Sequence, residues 1–461
     1  MYIEQLYTSC LAEAAYYIES NGEAAIIDPL RETEPYIALA KKRGATIKYI
    51  FETHFHADFV SGHVDLAKKT NAKIIFGPSA ETGFESTTAK DNQLFIIGGI
   101  TLKVLHTPGH TLESSCYLVI DESDKEHAIF TGDTLFVGDV GRPDLAIKSN
   151  LTIEDLAGML YDSLNSKIKT LPDDVIVYPA HGAGSACGKN IGKETFSTIG
   201  HQKKANYALQ QMSKNEFIIA VTEGLTKPPN YFSMDAMLNK QGCTNIDEVL
   251  NNNTNALSIS EFEMEAQQGV VILDTRNPEE FELGSVPNAI NIGLNGQYAP
   301  WVGALIDPLK AIILITNEGK ETEAVLRLAR VGYENVKGYL SGGIVAWVKS
   351  GKPVMTSDSI DAPTFVKEML NKNIIDVRNP NEWNNGVLEN ANLIALGELE
   401  NKMNLLDKNK HYYIHCAGGY RSMMALSILK KNGFKNITNV LGGITKIKEA
   451  GASLVQTVNS N

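Results

Sequence analysis

Short apolar runs separated by turn residues dominate the first half of the chain. Several of these runs are rich in β-branched and aromatic residues and predict strands. They are Ala24–Asp28, Tyr49–Thr53, Lys73–Phe76, Leu102–His106, Tyr117–Ile120, Ala128–Thr131 and Val175–Tyr178. Helical spacing of apolar residues occurs between some of them, at Pro35–Arg43 and Ile153–Asn165. This alternation predicts a layered α/β fold, which gathers its site residues on loops at one sheet edge.

The second half of the chain contains a repeat. Residues 272–281 (ILDTRNPEEF) match residues 374–383 (IIDVRNPNEW), and residues 339–344 (YLSGGI) match residues 440–444 (VLGGI). A repeat of about 100 residues has the size of a small α/β domain rather than of a solenoid unit. We therefore expect a first domain at 1–238, an asparagine-rich, poorly packed linker at 239–257, and two copies of one domain at 258–356 and 357–461.

Composition narrows the class of protein. The net charge of −12 argues against nucleic acid as the main partner. No apolar run is long enough to span a membrane, and the first residues show no leader pattern, so we expect no membrane association and a cytoplasmic location. The five cysteines are widely scattered, which argues against a disulfide scaffold.

Histidines and aspartates follow several of the predicted strands. The motifs, in chain order, are THFHAD at 53–58, TPGHT at 107–111, FTGDT at 130–134 and PAHG at 179–182. Imidazoles and carboxylates that converge from several strand ends suit a divalent transition metal. The alternative, that each histidine is hydrogen-bonded within a core, does not explain why four of only ten histidines stand in this ordered set.

This series resembles the metallo-β-lactamase superfamily, which implies an αββα sandwich over roughly the first 200 residues. Hydrolytic members of that superfamily end the first motif with a further histidine for a second zinc, but Phe59 stands there in this chain. The remaining set of His54, His110 and Asp133 resembles the ligands of the family's persulfide dioxygenases, which implies one Fe(II) per chain with open positions for sulfur and O₂.

The sequence leaves open the roles of three other polar residues in these motifs. His56, Asp58 and His181 are expected to orient the ligands or to be a vestige of a second metal site, with a purely structural role equally weighted.

Two loops of the first domain are candidates for substrate binding. Arg142, which follows the predicted aspartate ligand, can pair with an anionic thiol carrier or make an ordinary loop ion pair. Cys187 can take or relay sulfur if Lys189 lies close enough to lower the pKa of its thiol. The alternative, a small buried residue, is slightly favoured for Cys187.

A cysteine at the end of an apolar strand marks the last domain. Residues 413–422 (YIHCAGGYRS) place Cys416 before a loop of Ala417, Gly418, Gly419 and Tyr420 that leads into a helical stretch. Backbone N–H groups of such a loop favour a thiolate, and Arg421 adds a donor for an oxyanion. The pattern resembles the rhodanese active loop. Cysteine phosphatases, the alternative, have five residues between cysteine and arginine, where this chain has four.

The earlier copy lacks a cysteine in its corresponding loop. With Ile315 as the anchor, the sequence alignment puts Asn317 at the position of Cys416 and places Glu318, Glu321 and Glu323 nearby. Asparagine cannot form a persulfide, and the carboxylates would repel an anion. We therefore predict that the first copy has no sulfurtransferase activity and serves as a spacer or docking module.

Taken together, the chain resembles bacterial persulfide dioxygenase–rhodanese fusions of sulfide detoxification. That resemblance implies oxidation of a small-molecule thiol persulfide by O₂ to sulfite, transfer of sulfur by Cys416 to sulfite to give thiosulfate, and a homo-oligomer, a dimer or tetramer. Two alternatives stay open: a zinc-dependent thioester hydrolase of the glyoxalase II kind, and a non-enzymatic sulfur carrier.

Overall fold

The computed structural model describes residues 1–145, 151–225 and 227–456. It divides into two compact units, one of residues 1–249 with 328–333 and the other of residues 250–327 with 334–461.

Two six-stranded sheets form the first unit, each with its strands in chain order from edge to edge. The first sheet contains β1 (Tyr2–Thr8), β2 (Glu13–Ser20), β3 (Glu23–Ile27), β4 (Thr46–Glu52), β5 (Lys73–Phe76) and β6 (Thr87–Thr88). The second contains β7 (Leu94–Ile97), β8 (Ile100–His106), β9 (Ser115–Ile120), β10 (Glu126–Gly132), β11 (Ile176–Pro179) and β12 (Ser197–Thr198). The predicted strands are therefore present.

Helices accompany both sheets. They are α1 (Glu34–Arg43), α2 (His63–Thr70), α3 (Ile153–Ser163), α4 (Ile199–Ala205), α5 (Lys214–Thr222), α6 (Phe232–Gln241) and α7 (Ile246–Asn253). Helix α3 begins with a capping box between Thr152 and Asp155 and continues into a π-helical turn at Leu164–Ile168. In the described ranges no helix combines the length and apolar composition needed to cross a membrane.

Three apolar cores follow from this layering. The core between the sheets joins residues such as Phe51 and Tyr117 from the two inner faces. A second core lies between the first sheet and α1 and α2, and a third between the second sheet and α3 and α5. Each sheet is thus buried on both faces, which gives the predicted αββα sandwich.

The second unit contains two five-stranded parallel sheets with the same topology. The first has the order β13-β17-β16-β14-β15, and the second β18-β22-β21-β19-β20. The strands are β13 (Ala256–Leu257), β14 (Val271–Asp274), β15 (Ile290–Asn291), β16 (Ile312–Ile315), β17 (Val336–Leu340), β18 (Asp358–Ile360), β19 (Asn373–Asp376), β20 (Asn392–Leu393), β21 (Tyr412–His415) and β22 (Ile437–Val440). The sequence repeat is therefore a repeat of one α/β domain.

Helices again connect the parallel strands. They are α8 (Ile259–Gln267), α9 (Pro278–Leu283), α10 (Tyr298–Leu305), α11 (Glu321–Ala329), α12 (Gly343–Lys349), α13 (Ala362–Glu368), α14 (Pro380–Trp383), α15 (Leu399–Lys402), α16 (Tyr420–Lys431) and α17 (Gly443–Glu449). Parallel strands need crossover connections, so these helices lie between strands in sequence, except α17, which follows the last strand.

The segment at 239–257 differs from the expectation of a poorly packed linker. It contains the end of α6, the whole of α7 and strand β13. Asn239 is buried, and the Asp65 carboxylate accepts hydrogen bonds from Nδ2 of Asn245 and the backbone N–H of Ile246, both at 2.8 Å. Asparagine favours turns when it is exposed, but here buried polar partners hold it in place. The predicted domain bounds themselves stay predictions.

Candidate metal centre and cysteine loop

The predicted metal ligands converge from strand ends of both sheets. His54 follows β4 of the first sheet, and His110 and Asp133 follow β8 and β10 of the second. All three side chains are buried. Oδ2 of Asp133 lies 3.4 Å from Nε2 of His110 and 3.9 Å from Nε2 of His54. The structure therefore brings these three donors to one point.

Backbone and hydroxyl oxygens orient the histidine rings. Nδ1 of His110 donates to the carbonyl oxygen of Arg142 at 2.8 Å, and Nδ1 of His181 donates to that of Ala12 at 3.1 Å. A carbonyl can only accept, so the ring proton sits on Nδ1 and the lone pair on Nε2. This orientation, with Nε2 facing the other donors, is how proteins prepare histidine to bind a metal.

His54 is oriented through a longer chain of hydrogen bonds. Oγ1 of Thr53 donates to Oδ2 of Asp28 at 2.9 Å and lies 2.9 Å from Nδ1 of His54. Because the hydroxyl uses its only hydrogen on Asp28, it accepts from Nδ1–H of His54. Burial, together with the neighbouring histidines, lowers the pKa of His54 well below its usual value. The ring is therefore neutral, as a metal ligand must be.

Several of these buried atoms lack any partner among the described residues. Nε2 of His54, Nε2 of His181 and both carboxylate oxygens of Asp133 make no hydrogen bond. Buried polar atoms are normally paired, so unpaired atoms that face one another need an explanation. Two imidazole lone pairs and a carboxylate match a divalent transition metal, so the residues fit a bound ion.

A second group of donors adjoins the first. Nε2 of His181 lies 3.3 Å from Oδ2 of Asp58 and 3.5 Å from Oδ1 of Asp133, and His56 joins them. Nε2 of His56 itself faces Oδ1 of Asp28 at 3.1 Å. Burial opposes a charge on His56, but the carboxylates of Asp28 and Glu52 outweigh it and raise the pKa of His56 well above its usual value.

Phe59 stands in the loop that carries these histidines. Its ring is fully buried, with its centroid 4.3 Å from that of His56. An aromatic ring offers no lone pair to a metal, so the described loop supplies His54, His56 and Asp58 but not the further ligand of the hydrolases.

Asn239 holds this loop and was not recognised from the sequence. Its Nδ2 donates to the carbonyl oxygens of His56 and Phe59, both at 2.7 Å, and its Oδ1 accepts from the N–H of Ser61 at 2.8 Å. The residue lies about 180 positions from the loop, in a segment whose composition predicted a linker. Only three-dimensional proximity reveals the contact.

Cys187 lies beside the candidate metal ligands rather than beside a cation. Its sulfur and donor atoms of Asp133 and His181 lie within 4.8 Å of one another. Burial raises the pKa of the Cys187 thiol well above its usual value, and the carboxylates of Asp58 and Asp133 add to the rise. The condition for Lys189 to lower this pKa is not met, because Nζ of Lys189 donates to backbone carbonyls of residues 220 and 223 at 2.6 and 2.7 Å. Cys187 is buried, as the slightly favoured alternative expects.

Arg142 makes the loop ion pair that was its alternative role. Its Nε and Nη2 donate to the two carboxylate oxygens of Asp144 at 2.6 and 2.7 Å, and its Nη1 donates to the carbonyl of Ala186 at 3.3 Å. The side chain is therefore engaged inside the protein. Its backbone carbonyl, which holds His110, contributes more directly to the metal centre.

Cys416 lies in the second unit, at the end of β21 and before helix α16. Its sulfur accepts a hydrogen bond from the backbone N–H of Gly419 at 3.1 Å. Gly419 has a φ of 111°, which L side chains rarely adopt, so glycine permits this turn. The first helical turn of α16 also directs its N–H groups toward the loop. Both features place backbone N–H donors near the sulfur.

The predicted oxyanion donor Arg421 is bound to a carboxylate. Its Nη1 and Nη2 donate to Glu382 at 2.5 and 2.8 Å. Burial opposes the charge of Glu382, but the hydrogen bonds from Arg421 and Asn379 outweigh it and lower the pKa of Glu382. The charged pair leaves Arg421 as a neighbour of the loop rather than a free cation, and its predicted role stays a prediction.

The strand register of the two sheets corrects the sequence alignment between the loop of the first copy and the cysteine loop of the second. Asp274 pairs with Ile315 in the first copy as Asp376 pairs with His415 in the second. Thr316, not Asn317, therefore occupies the position of Cys416. The loops have the same length, since Gly319 with φ 79° corresponds to Gly419. Threonine cannot form a persulfide either. The first copy is therefore still predicted to transfer no sulfur, but the prediction now depends on Thr316 instead of Asn317.

With this register, the residue of the first copy that corresponds to Arg421 also changes. Glu321 of the first copy occupies the position of Arg421 in the second. The amide of Asn317 donates instead to Glu280, at 3.1 and 3.2 Å to its two oxygens. The first loop thus presents carboxylates where the second presents a guanidinium.

Comparisons with known proteins agree with both halves of this description. The metallo-beta-lactamase superfamily model matches residues 9–181, and the rhodanese-like domain model matches residues 259–350 and 362–450. A probable hydroxyacylglutathione hydrolase of Schizosaccharomyces pombe is 34% identical over 46% of this chain and 78% of the relative.

One solved structure extends the likeness beyond the first domain. A metallo-beta-lactamase from Staphylococcus aureus is 32% identical, with a TM-score of 0.65 over 74% of this chain and 99% of that one. ETHE1 from Myxococcus xanthus is 28% identical, with a TM-score of 0.45 over 52% of this chain and 99% of that one. The identity to the Schizosaccharomyces pombe relative and the two matching family models show that the chain belongs to the metallo-beta-lactamase superfamily and joins that fold to two rhodanese-like domains.

Proposed function

We propose that the first domain oxidises a small-molecule thiol persulfide and that the last domain transfers sulfur. The overall oxidation is RSSH + O₂ + H₂O → RSH + SO₃²⁻ + 2 H⁺, in which the outer sulfur loses electrons to O₂. One observation carries the proposal: Phe59 replaces a ligand that hydrolases of this superfamily use for a second zinc, while His54, His110 and Asp133 stay together as a complete set.

These three residues would hold one Fe(II) per chain. When bound, such an ion offers open positions at which a persulfide sulfur and O₂ can meet. The protein keeps the donors in place through the oxygens that bind each Nδ1, and Asn239 fixes the loop behind His54. Burial of all three donors excludes bulk water from the ligand shell. Cys187 borders this space and is the candidate thiol for substrate contact.

In the last domain, Cys416 would accept sulfane sulfur. Its thiolate attacks the outer sulfur of RSSH, the S–S bond breaks, and the thiol RSH leaves with a proton. Sulfite then attacks the outer sulfur of the Cys416 persulfide, and thiosulfate leaves as the cysteine thiolate returns. Gly419 N–H, which already donates to the sulfur at 3.1 Å, stabilises the thiolate formed in this step. Covalent fusion raises the local concentration of sulfite at Cys416.

Metal content and oxygen uptake test the proposal. We expect about one iron ion per chain, together with O₂ consumption and sulfite release when persulfides of coenzyme A, glutathione or bacillithiol are supplied. His54→Ala should lose both the metal and the O₂ uptake. His127→Ala is the matched control, because His127 lies on β10 outside the donor groups. Two zinc ions per chain with thioester hydrolysis and no O₂ uptake would contradict the proposal.

A zinc-dependent thioester hydrolase is the second candidate function. Two observations favour it: the Schizosaccharomyces pombe relative is named a probable hydroxyacylglutathione hydrolase, and His56, Asp58 and His181 form a second donor group next to Asp133. In this case Asp133 would lie between two ions, since it faces both groups. Hydrolysis of a hydroxyacylglutathione thioester under anaerobic conditions would distinguish the hydrolase from the oxygenase.

A further inference from the structure

A loop of the first rhodanese-like copy contacts the cysteine loop of the second. Oη of Tyr420 donates to the carbonyl oxygen of Gly293 at 2.6 Å. Tyr420 directly follows Gly419, whose N–H donates to the sulfur of Cys416. The Tyr420 hydroxyl therefore links the cysteine loop to the first copy, one residue after the N–H that binds the sulfur.

The contact surface is shaped for the Tyr420 ring. A Cβ on Gly296 would lie 2.4 Å from Cζ of Tyr420, and a Cβ on Gly293 would lie 3.4 Å from its Cε2. Gly296 does not have a left-handed φ, so its backbone could carry another residue. The ring itself is what leaves no room for a side chain there.

The supporting loop is held rigidly within the first copy. Arg327 donates from Nη1 to the carbonyl oxygen of Leu294 at 2.6 Å and from Nη2 to that of Gly296 at 3.0 Å. The contact continues along helix α16, where Oγ of Ser427 accepts from the N–H of Asn291 at 3.0 Å. The loop is thus fixed by charge-assisted bonds before it meets Tyr420.

Within the second copy, Oγ of Ser422 holds the second part of the cysteine loop by donating to the carbonyl oxygen of Gly419 at 2.9 Å. The first part of the loop is held inside the second copy, where the carbonyl oxygens of Cys416 and Ala417 accept from Ile444 N–H at 2.8 Å and Thr445 Oγ1 at 3.1 Å. A Cβ on Gly418 would meet no atom within 4 Å. Tyr420 is therefore the residue that links the second part of the loop to the first copy.

We infer that Tyr420 is a positioning residue for Cys416. Through Tyr420, the first copy, which has no cysteine in its own loop, sets the geometry in which the second copy binds sulfur. This inference rests on the proposed sulfur transfer and gives the first copy a role in it. Tyr420 acts by keeping Gly419 N–H directed at the sulfur. The corresponding residue of the first copy, Lys320, bonds to Glu323 of its own helix, so the support is a property of the active copy.

Two variants of the full chain test this inference from the two sides of the contact. Tyr420→Phe removes the hydrogen bond to Gly293, and Gly296→Ala displaces the ring. The matched controls are Tyr413→Phe, whose hydroxyl makes no hydrogen bond in the described part of the chain, and Gly397→Ala, where a Cβ meets open space.

The measurements are the pH profile of Cys416 alkylation, followed by mass spectrometry of its peptide, and the kinetics of sulfur transfer from thiosulfate to cyanide. We expect Tyr420→Phe to lower kcat about fivefold, the effect of one hydrogen bond, with KM unchanged. The alkylation midpoint should move to higher pH, because the thiolate loses a well-directed donor. Gly296→Ala should lower kcat and raise the alkylation midpoint more strongly than Tyr420→Phe does. The fold-decrease in kcat of the double variant should be smaller than the product of the two single fold-decreases.

The inference fails if both variants keep the wild-type pH profile and kcat, or if the controls change them as much. If Gly296→Ala does not fold, Tyr420→Phe decides alone. Absence of sulfur transfer in the wild type would refute the proposed function, whereas the alkylation profile would still report whether Tyr420 positions the loop.

Discussion

The two rhodanese-like copies share a buried ion pair and differ in the loop beside it. In the first copy Nε of Arg276 bonds to Oδ1 of Asp274 at 2.9 Å, and in the second Arg378 bonds to Asp376 at 3.0 Å. The Nη2–Oδ2 distances are 2.5 and 2.6 Å. Both carboxylates are fully buried. Removal of either partner would leave a charge without compensation, so sequence divergence is constrained here.

The neighbouring loops are under no such constraint. Thr316 and Glu321 of the first copy occupy the positions of Cys416 and Arg421 in the second, within loops of equal length. Exchange of a thiol for a hydroxyl and of a cation for an anion alters no buried pair of the framework. The comparison shows that the repeated fold and its chemistry depend on separate residues.

The largest effect is expected from the reactive position itself. Cys416→Ser should lower sulfurtransferase activity by more than about a thousandfold, since a serine hydroxyl cannot form the persulfide. Thr316→Val in the first copy should leave the activity unchanged. Thiosulfate:cyanide sulfurtransferase assays of both variants check this. Activity lost equally in Thr316→Val would contradict the assignment of sulfur transfer to one copy.

Disruption of the shared framework should affect both copies alike. Asp274→Asn and Asp376→Asn are each expected to lower the free energy of unfolding by about 3 kcal/mol, because each leaves a buried arginine without its counter-charge. Urea denaturation monitored by circular dichroism measures this. Glu389→Gln, an exposed control, should change the stability little. A large effect in only one copy would show that the pairs are not equivalent.

A cysteine placed in the first copy sharpens the comparison. Thr316→Cys, in a Cys416→Ser background, should react with iodoacetamide about tenfold more slowly than Cys416 does, because Glu321 replaces Arg421 and disfavours a nearby thiolate. Adding Glu321→Arg should recover part of the rate. Equal reactivity of the two cysteines would show that the surrounding residues do not separate the copies.

The smallest effect is expected at the ion pair beside the active loop. Glu382→Gln keeps an acceptor for Asn379 N–H but removes the negative charge that binds Arg421. Partly exposed ion pairs are weak, so we expect KM for sulfite to fall only about twofold as the guanidinium becomes available to the anion. A rise in KM would indicate that Glu382 is needed to position Arg421.

The strands and the metal donors were predictable because they depend on local pattern. Each donor follows an apolar run, and His54, His110 and Asp133 meet because strand ends meet at a sheet edge. The correspondence between Cys416 and Thr316 was missed by one residue. Strands β16 and β21 are buried throughout, so their apolar runs contain no alternation that sets the register.

Contacts between distant residues were beyond the sequence. Asn239 binds the loop of His56 and Phe59 across about 180 positions, although its surroundings predicted a linker. Lys189 and Cys187 are two residues apart, yet the lysine points to backbone carbonyls instead of the thiol. Proximity along the chain does not fix the direction of a side chain on a loop.

The sequence by itself determined the superfamily and the internal repeat, and it indicated the three candidate metal donors and the candidate cysteine loop, because each is encoded by residue type and short spacing. Only the tertiary structure decided which carboxylate binds Arg421, which threonine stands in for the cysteine, and that Tyr420 reaches Gly293. Those outcomes depend on where separate segments pack, and packing is set by the burial of whole faces rather than by any local motif.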